Sequence, residues 1–549
     1  LVGSEMCIRD RDNGGLFYYN YTNGTTNPEG RLNITGPHTV TIKNGGNAFY
    51  IKGALGSQDS VTNTIGGGTP LNLNMQPGSR LFVFDGSGVT TKISEVRPAS
   101  GTLSLGNINI TGSGYKYYTS NRATLEIDEV VNLNEANNKY HSVDFISSNV
   151  IVNNKMTNNG NALSNGDNYV IGQGNSGTNV SDVKVTNNST IELTNTPNLT
   201  AIATDFSVIE NKGTITNTGN KGIGLFGGNS SQVINEGTIT IGDEGAAIFG
   251  RNALGTGTQG NIDLTNNGTI NVTGTKSYGI VADNTVAGKT STITLGGNSN
   301  ITTAQGNEGV GVYAKNSILN NNGGTITVGN KGVGIQGDNS ALNLTGGTIN
   351  TQGSEAKGVY ANNALTNTGT TINVNGENSV GLFSTTSVDN NGTITVGDSA
   401  NVSKPNIGVY SDVINNTGTI NIGARSIGLY SSAATFNLSG GGINVSGEDS
   451  TGVYKNGGTI NVGDGAALNI TGKNAIGVFS ANGVLNNNRT TNLSIGSGGI
   501  ALAAINGTLN AHSAAQPGSQ TLGDDVIYAY VRDNSTLNNY TSVTSSGSA

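Results

Sequence analysis

The chain has 549 residues, 34% of them hydrophobic, with 85 glycines and 27 basic against 35 acidic side chains. That apolar share falls below the roughly 45–50% of ordinary globular proteins, so a conventional packed core is excluded for most of the length. No Lys/Arg cluster suited to phosphate neutralisation is present, which argues against nucleic acid, and no apolar run approaches the about 18–20 residues of a membrane helix.

Residues 1–11 (LVGSEMCIRDR) share nothing with the rest of the chain. They resemble translated sequencing-adapter read-through and are set aside as non-native. They carry the only cysteine, Cys7. The remaining cysteine-free chain suits export through an oxidising periplasm, where stray disulfides would be a hazard. With no signal peptide at one end and an ending in mid-pattern at Ser546-Gly547-Ser548-Ala549, the expectation is an internal piece of a longer protein.

Residues 12–184 hold alternating or apolar runs split by Gly/Asn turns: Thr39-Val40-Thr41-Ile42, Ala48-Phe49-Tyr50-Ile51 and Arg80-Leu81-Phe82-Val83-Phe84. They read as irregular turns of the same architecture as the chain beyond, or as a separate β module. From 185 to 515 one phrase recurs, Gly-Thr-Ile-x-Val, then Gly-Val-Tyr or a near match, then an apolar residue leading into Asn. Copies begin at Gly213, Gly237, Gly268, Gly324, Gly347, Gly369, Gly392, Gly418 and Gly458, with a variant at Gly442. Repeats of about 20–45 residues mark stacked-repeat proteins, in which each unit needs only a thin apolar stripe buried against its neighbours. Residues 516–549 continue the pattern, with Val526-Ile527-Tyr528-Ala529-Tyr530 as another strand.

Within each repeat three short strands are expected. In the first, apolar residues stand two apart, as in Ile270/Val272, Ile326/Val328, Ile394/Val396 and Ile460/Val462, which places Ile and Val inward and Thr outward. The second carries an aromatic column through Phe226, Tyr313, Tyr360, Phe383, Tyr410, Tyr430, Tyr454 and Phe479. It reads as a stack of rings rather than a ligand platform. The third is short, as in Val233-Ile234 or Val413-Ile414, and runs into an Asn two residues before the next Gly-Thr-Ile. Those residues are Asn187, Asn211, Asn235, Asn266, Asn322, Asn367, Asn390, Asn416 and Asn456, with breaks at Thr345 and Gly440. Asn tolerates a tight corner, and stacked copies form an amide ladder. The resulting fold class is all-β: a right-handed, single-stranded parallel β-helix (β-solenoid) with three short strands per rung.

The phrase Gly-Thr-Ile-x-Val…Gly-Val-Tyr…Asn-Asn-Thr-Gly resembles the passenger repeats of large bacterial autotransporter adhesins of the fusobacterial type. The resemblance covers residues 185–515 well and the N-terminal part loosely. It implies type V secretion and a C-terminal membrane β-barrel outside this sequence. It further implies a cell-surface location and an elongated adhesin whose partner is a host-cell or bacterial surface protein or glycan. It supplies no catalytic motif.

Parallel β-helices also host polysaccharide lyases and hydrolases, so a carbohydrate-active enzyme is the competing class, with a purely structural surface stalk as a third. An enzyme site needs clustered carboxylates or basic groups on one face. Asp243, Asp398 and Asp464 follow the first strand as Gly-Asp and read as turn residues, and Asp524-Asp525 reads as a solvated loop. His38, His141 and His512 are far apart in unrelated contexts. No catalytic, cofactor-binding or metal-binding residue is assigned, and no cofactor is expected. A Thr array (Thr214/Thr216, Thr238/Thr240, Thr325/Thr327, Thr393/Thr395) reads as an outward hydrophilic face, its rows broken by insertions at Arg251–Asn261, Asn284–Asn307 and Ser399–Asn406. These insertions are the expected recognition loops.

Overall fold

The computed structural model describes residues 183–546 except 253–259, 287, 305 and 307, together with short segments, most of them strands, between residues 15 and 174. Residues 1–11 with Cys7, His141 and most of the Arg251–Asn261 insertion lie outside the described residues. The chain divides into two compact units, Leu1–Ser291 and Thr292–Ala549.

Both units are parallel β-solenoids built on the same three-strand turn. In the first unit Val208–Asn211, Thr214–Asn217 and Ile223–Gly228 make one turn, and Gln232–Asn235, Thr238–Ile241 and Ala246–Asn252 the next. Each strand pairs in parallel with its counterpart one turn later: Ile209↔Val233, Ile215↔Ile239, Leu225↔Ile248. The second unit repeats this, as in Ile372↔Ile394↔Ile420 and Val359↔Leu382↔Val409. Among the described residues the only antiparallel pairing is an isolated bridge between Ser513 and Gln516. The strands Gly15–Tyr21, Asn47–Gly53 and Arg80–Asp85 are also mutually parallel, and Ser142–Ile146 and Tyr169–Gly174 lead by the same pairing to Thr200–Asp205 and the regular turns.

The first strand behaves as its period-two pattern requires. Ile270, Ile326, Ile394 and Ile420 are fully buried, and the Thr and Asn between the apolar residues are half-buried or exposed on the outside. Each such Ile contributes about 1.5–3 kcal/mol, which offsets much of the ordering cost of its short strand. The second strand alternates differently. Its first and fourth residues face out, and a Gly and an apolar residue between them both face in, as in the iBBiB pattern of Val380–Ser384. The Gly is dictated by closeness: a Cβ on Gly381 would stand 2.6 Å from the carbonyl oxygen of Gly408 in the next turn. Corner glycines obey the same rule, since a Cβ on Gly237 would lie 1.9 Å from the Gly213 carbonyl oxygen.

At the corner between third and first strands the Asn side chains point inward and form the expected ladder. Asn187 Nδ2 donates to Asn211 Oδ1, Asn211 to Asn235 and Asn235 to Asn266, each at 2.7 Å. In the second unit Asn367 donates to Asn390 at 2.9 Å and Asn390 to Asn416 at 2.7 Å. Two ladder assignments from sequence are corrected. Asn322 is exposed; the extra Gly323 in that corner puts Asn321 at the inward position instead, in register with Leu344 and then Asn367. The break is therefore at Leu344 rather than at Thr345.

Asn456 is likewise exposed, for a larger reason. The copy Gly458-Thr459-Ile460-Asn461-Val462 is a third strand, because Ile460 pairs with Phe436 of the third strand Thr435–Leu438. The first-strand position in that turn belongs to Ala467–Ile470, which pairs with Gly442–Val445. The phrase specifies a strand with two inward apolar residues, and either column accepts it.

The insertions also differ from the sequence expectation. Asn284–Asn307 contains the strands Ser291–Leu295 and Asn300–Thr303; the latter pairs Ile301 with Ile326, so the segment holds ordinary strands of a turn under different wording. Ser399–Asn406 does leave the stack, but at the corner between first and second strands. The first-position Thr row therefore continues past that insertion, through Thr190, Thr214, Thr238 and Thr269 in one unit and from Thr325 through Thr348, Thr371, Thr393 and Thr419 to Gly442 in the other, whereas the second row, Thr216, Thr240, Thr327 and Thr395, is interrupted by Asn271, Asn350, Asn373 and Asn421.

Substitutions at three positions test these assignments. Ile394→Asp places an unpaired carboxylate in the interior and costs several kcal/mol, whereas Thr395→Asp, on the outer face, changes stability by about 0.5 kcal/mol or less; limited proteolysis should nick the first variant within the surrounding turns and leave the second intact. Asn211→Ala removes both of its ladder bonds and costs about 1–3 kcal/mol. Asn211→Leu, which copies the Leu344 arrangement, costs less. Hydrogen exchange at the Lys212 and Gly213 amides should decrease in the order Ala, Leu, wild type, and equal rates for all three would show that the ladder contributes nothing.

Candidate functional surface

The aromatic column becomes a continuous stack in the second unit. Tyr360, Phe383, Tyr410, Tyr430, Tyr454 and Phe479 succeed one another at centroid distances of 5.2, 5.1, 4.7, 5.2 and 5.3 Å. The ring planes differ by only 10–27°. Strand spacing of about 4.8 Å sets this separation, and each pair contributes about 0.5–1.5 kcal/mol beyond area burial. Since the inner rings have a neighbour on both faces, they present edges, not faces, to solvent. The Tyr430 phenol is pushed up from its ordinary value by burial and by the flanking Tyr410 and Tyr454. Gln336 stands between Tyr313 and Tyr360, and Ala503 comes after Phe479, so the stack is bounded at both ends. In the first unit Phe226 and Phe249 are 5.7 Å apart but tilted by 56°.

The three Gly-Asp carboxylates serve the stack. Asp243 Oδ1 accepts the Thr275 amide at 2.7 Å, Asp398 Oδ1 the Ala424 amide at 2.6 Å, and Asp464 Oδ1 the Thr490 and Thr491 amides at 2.7 and 2.9 Å. Asp464 also accepts both threonine hydroxyls, and these bonds hold its carboxyl far below the usual carboxylate range. Each joins one turn to the next, as turn residues do, although Asp464 does so after a third strand rather than a first, because the strand before it pairs Val462 with Leu438. Asp525 sits at a positive-φ corner whose carbonyl accepts the Gly498 amide.

A row of left-handed corner residues precedes the second strands and was not anticipated. In the second unit it includes Lys331, Glu355, Asn378, Arg425, Asp449 and Asn474, with φ between 53° and 58°. Their amides donate to the next turn, as Lys331 to Ser354 and Arg425 to Glu448, both at 2.8 Å. The inter-turn bond offsets the cost of that conformation, about 1–2 kcal/mol for a residue with a Cβ. The sequence signal is weak but present: a small residue, Gly, Ser or Ala, comes after nearly every one. Lys331, Glu355, Ala356, Lys357, Asn378 and Val380 line a shallow depression of about 460 Å³ along this row.

On the outer face of the strands, amides form further ladders. Asn461 donates to Asn437 and Asn486 to Asn461, each at 2.8 Å, Asn510 to Asn486 at 2.7 Å and Asn538 to Asn510 at 2.8 Å. Asn373 donates to Asn350 and Asn444 to Asn421 in the same way, at 2.8 Å.

Three buried basic groups stand apart from this regularity: Arg489, which donates to the Gly463 carbonyl at 3.1 Å and to the Thr491 hydroxyl at 2.9 Å, and Lys455 and His512. Lys455 is 1% exposed in a column whose other members are small, among them Ala361, Ser384, Ser411, Ser431, Ser480 and Ala504; its Nζ donates to the Ala433 carbonyl. Burial lowers its pKa, partly opposed by Asp412. His512, 7% exposed, packs against Gly518, and its Nε2 lies 3.4 Å from Asn487 Nδ2, which donates to the Tyr528 hydroxyl at 2.9 Å. Burial depresses its pKa below 6.5, with Asp464 opposing. Among the described residues no group of three or more His, Cys, Asp or Glu converges on one point.

No family model, curated protein or solved structure matches the chain.

His512 gives a pH prediction. Its folded pKa lies below its unfolded value, so the unfolded state binds the proton more readily, and stability is full above about pH 6.5 and falls as pH drops through the folded pKa. Protection factors in residues 487–541, which divide out the intrinsic pH dependence of amide exchange, should fall between pH 7.5 and 5, and His512→Gln should flatten that dependence. An undiminished fall in the variant would assign it to other groups that titrate in that range.

Proposed function

We propose that the chain is the passenger region of a surface-exposed autotransporter and acts as an adhesin toward host cells or other bacteria. The supporting observation is repetition: the outer Thr, Asn and aromatic columns return turn after turn, so one weak contact recurs at a fixed pitch. Contacts engaged together multiply in effect, which is how a surface without a deep pocket holds a partner. The corner segment Ser399–Asn406 adds a projecting feature. Its fold is fixed by bonds from the Ser399 hydroxyl to the Asn401 and Lys404 carbonyls at 3.1 and 2.8 Å, while Val402 at its tip is 62% exposed. A rigid corner with an exposed apolar tip is a natural contact point for a protein or glycan surface.

Purified chain should bind saturably to epithelial cells, bacterial cells or an immobilised glycan panel. A version with residues 400–405 replaced by a two-residue turn should bind more weakly while keeping its circular dichroism. Absence of saturable binding to all three would remove the adhesin reading. Release of new sugar ends from a polysaccharide panel would instead favour the carbohydrate-active class.

A further inference from the structure

The corner segment Ser399–Asn406 carries the triplet Asn401-Val402-Ser403, which has the Asn-x-Ser form of a glycan acceptor. All three residues are exposed. Ser403 donates both its amide, at 2.9 Å, and its hydroxyl, at 2.8 Å, to Asn401 Oδ1. The Asn side chain thus closes a small ring with the backbone two residues on. Among the described residues Asn401 Nδ2 has no acceptor. The segment is held in place at its base. The Ser399 amide donates to the Ala424 carbonyl at 2.9 Å, Arg425 Nε to the Ser399 carbonyl at 2.6 Å and the Lys404 amide to the Asn401 carbonyl at 3.0 Å.

We infer that Asn401 is an asparagine-linked glycosylation site, modified by a glycosyltransferase on the folded chain. The triplet pattern alone does not select it, because a chain so rich in Asn and Thr holds many such triplets. Geometry does. In other triplets the hydroxyl is committed to the turn before. Thr273 donates to the Ile241 carbonyl at 2.8 Å, Thr345 to the Asn321 carbonyl at 3.1 Å, Ser446 to the Ile422 carbonyl at 3.2 Å and Thr490 to Asp464 Oδ2 at 2.7 Å. The acceptor positions Asn271, Asn343 and Asn444 of three of these also lie in paired strands, whose backbone enters a transferase cleft only if inter-turn bonds break. Asn401 stands on a corner that leaves the stack, and its hydroxyl partner is turned back on its own amide.

The chemistry follows from the two bonds to Oδ1. An amide nitrogen is a poor nucleophile until it gives up a proton, and the negative charge then passes to the oxygen. At Asn401 that oxygen already faces two donors, the arrangement that stabilises developing charge in acyl transfer. A carboxylate of the transferase takes one Nδ2 proton. Nδ2 then bonds to C1 of the sugar as the bond from C1 to a pyrophosphate oxygen breaks, and the pyrophosphate leaves with the electron pair. Donors of this class are sugars activated on a nucleoside diphosphate or on a lipid pyrophosphate. The sugar stands on a corner outside the strand columns, so the site is independent of whether the surface is adhesive.

The test is transfer to the full folded chain in two reactions, read by peptide mapping and mass spectrometry with no cell or glycan surface present. One pairs a soluble asparagine glycosyltransferase with a nucleotide-activated hexose, the other a membrane oligosaccharyltransferase with a lipid-pyrophosphate oligosaccharide. Asn401 should be modified ahead of the strand and corner triplets, Asn391 and Asn444 among them. Transfer in either reaction supports the site, and the reaction that transfers identifies the donor. Ser403→Ala should lower the rate at Asn401 by about a hundredfold with circular dichroism and melting unchanged, and Ser403→Thr should restore it. An unmodified Asn401 in both reactions would overturn the inference. So would modification of Asn401 only after the chain is unfolded, sugar spread evenly over the triplets of the folded chain, or equal rates for wild type and Ser403→Ala.

Discussion

Within each unit, a strand finds its hydrogen-bond partners only in the turns before and after it. Parallel pairing at one fixed spacing therefore governs everything else. Any residue whose side chain or backbone disturbs that spacing disturbs two neighbours at once, and any residue that suits it is rewarded at every repeat. This is why a chain with only 34% apolar residues supports an interior at all. Two buried Ile or Val on a four-residue strand, as in Thr393–Val396, suffice when the same two positions are filled above and below.

The same constraint sorts the polar residues. Glycine is required where carbonyl oxygens of adjacent turns crowd the Cα, at Gly381 and Gly237 alike. Asparagine is retained in the interior because its amide is both donor and acceptor, so a stack of them satisfies itself; isolated, it would incur a desolvation cost of a few kcal/mol. Lysine at 455 departs from that logic, and its ammonium relies on a backbone carbonyl. The Gly-Asp carboxylates, which in a β-helix invite a catalytic reading, are occupied in joining turns through backbone amides.

Much of this was legible in the sequence, because periodic chemistry maps directly onto a periodic fold. The inward Ile and Val, the ring column and most of the corner Asn can be read from spacing alone. What escaped was phase. Nothing in Gly458-Thr459-Ile460 distinguishes a first strand from a third; only the pairing of Ile460 with Phe436 does. One added glycine at 323 moved the inward amide from Asn322 to Asn321. The left-handed corner row escaped for a different reason: its residues are as varied as Lys, Glu, Arg, Asp and Asn, since the backbone conformation, not the side chain, is what recurs.

The two families of amide ladder run in opposite senses. Interior amides pass their hydrogens forward along the chain, from Asn187 through Asn266 and from Asn367 through Asn416, whereas exterior amides pass them backward, from Asn538 to Asn437. A column of aligned amides is a wire of small dipoles that polarise one another. In the second unit the interior ladder Asn367–Asn416 and the exterior ladder Asn437–Asn538 lie in successive turns, so each polarises its own run of wall, and the sense reverses from one run to the next.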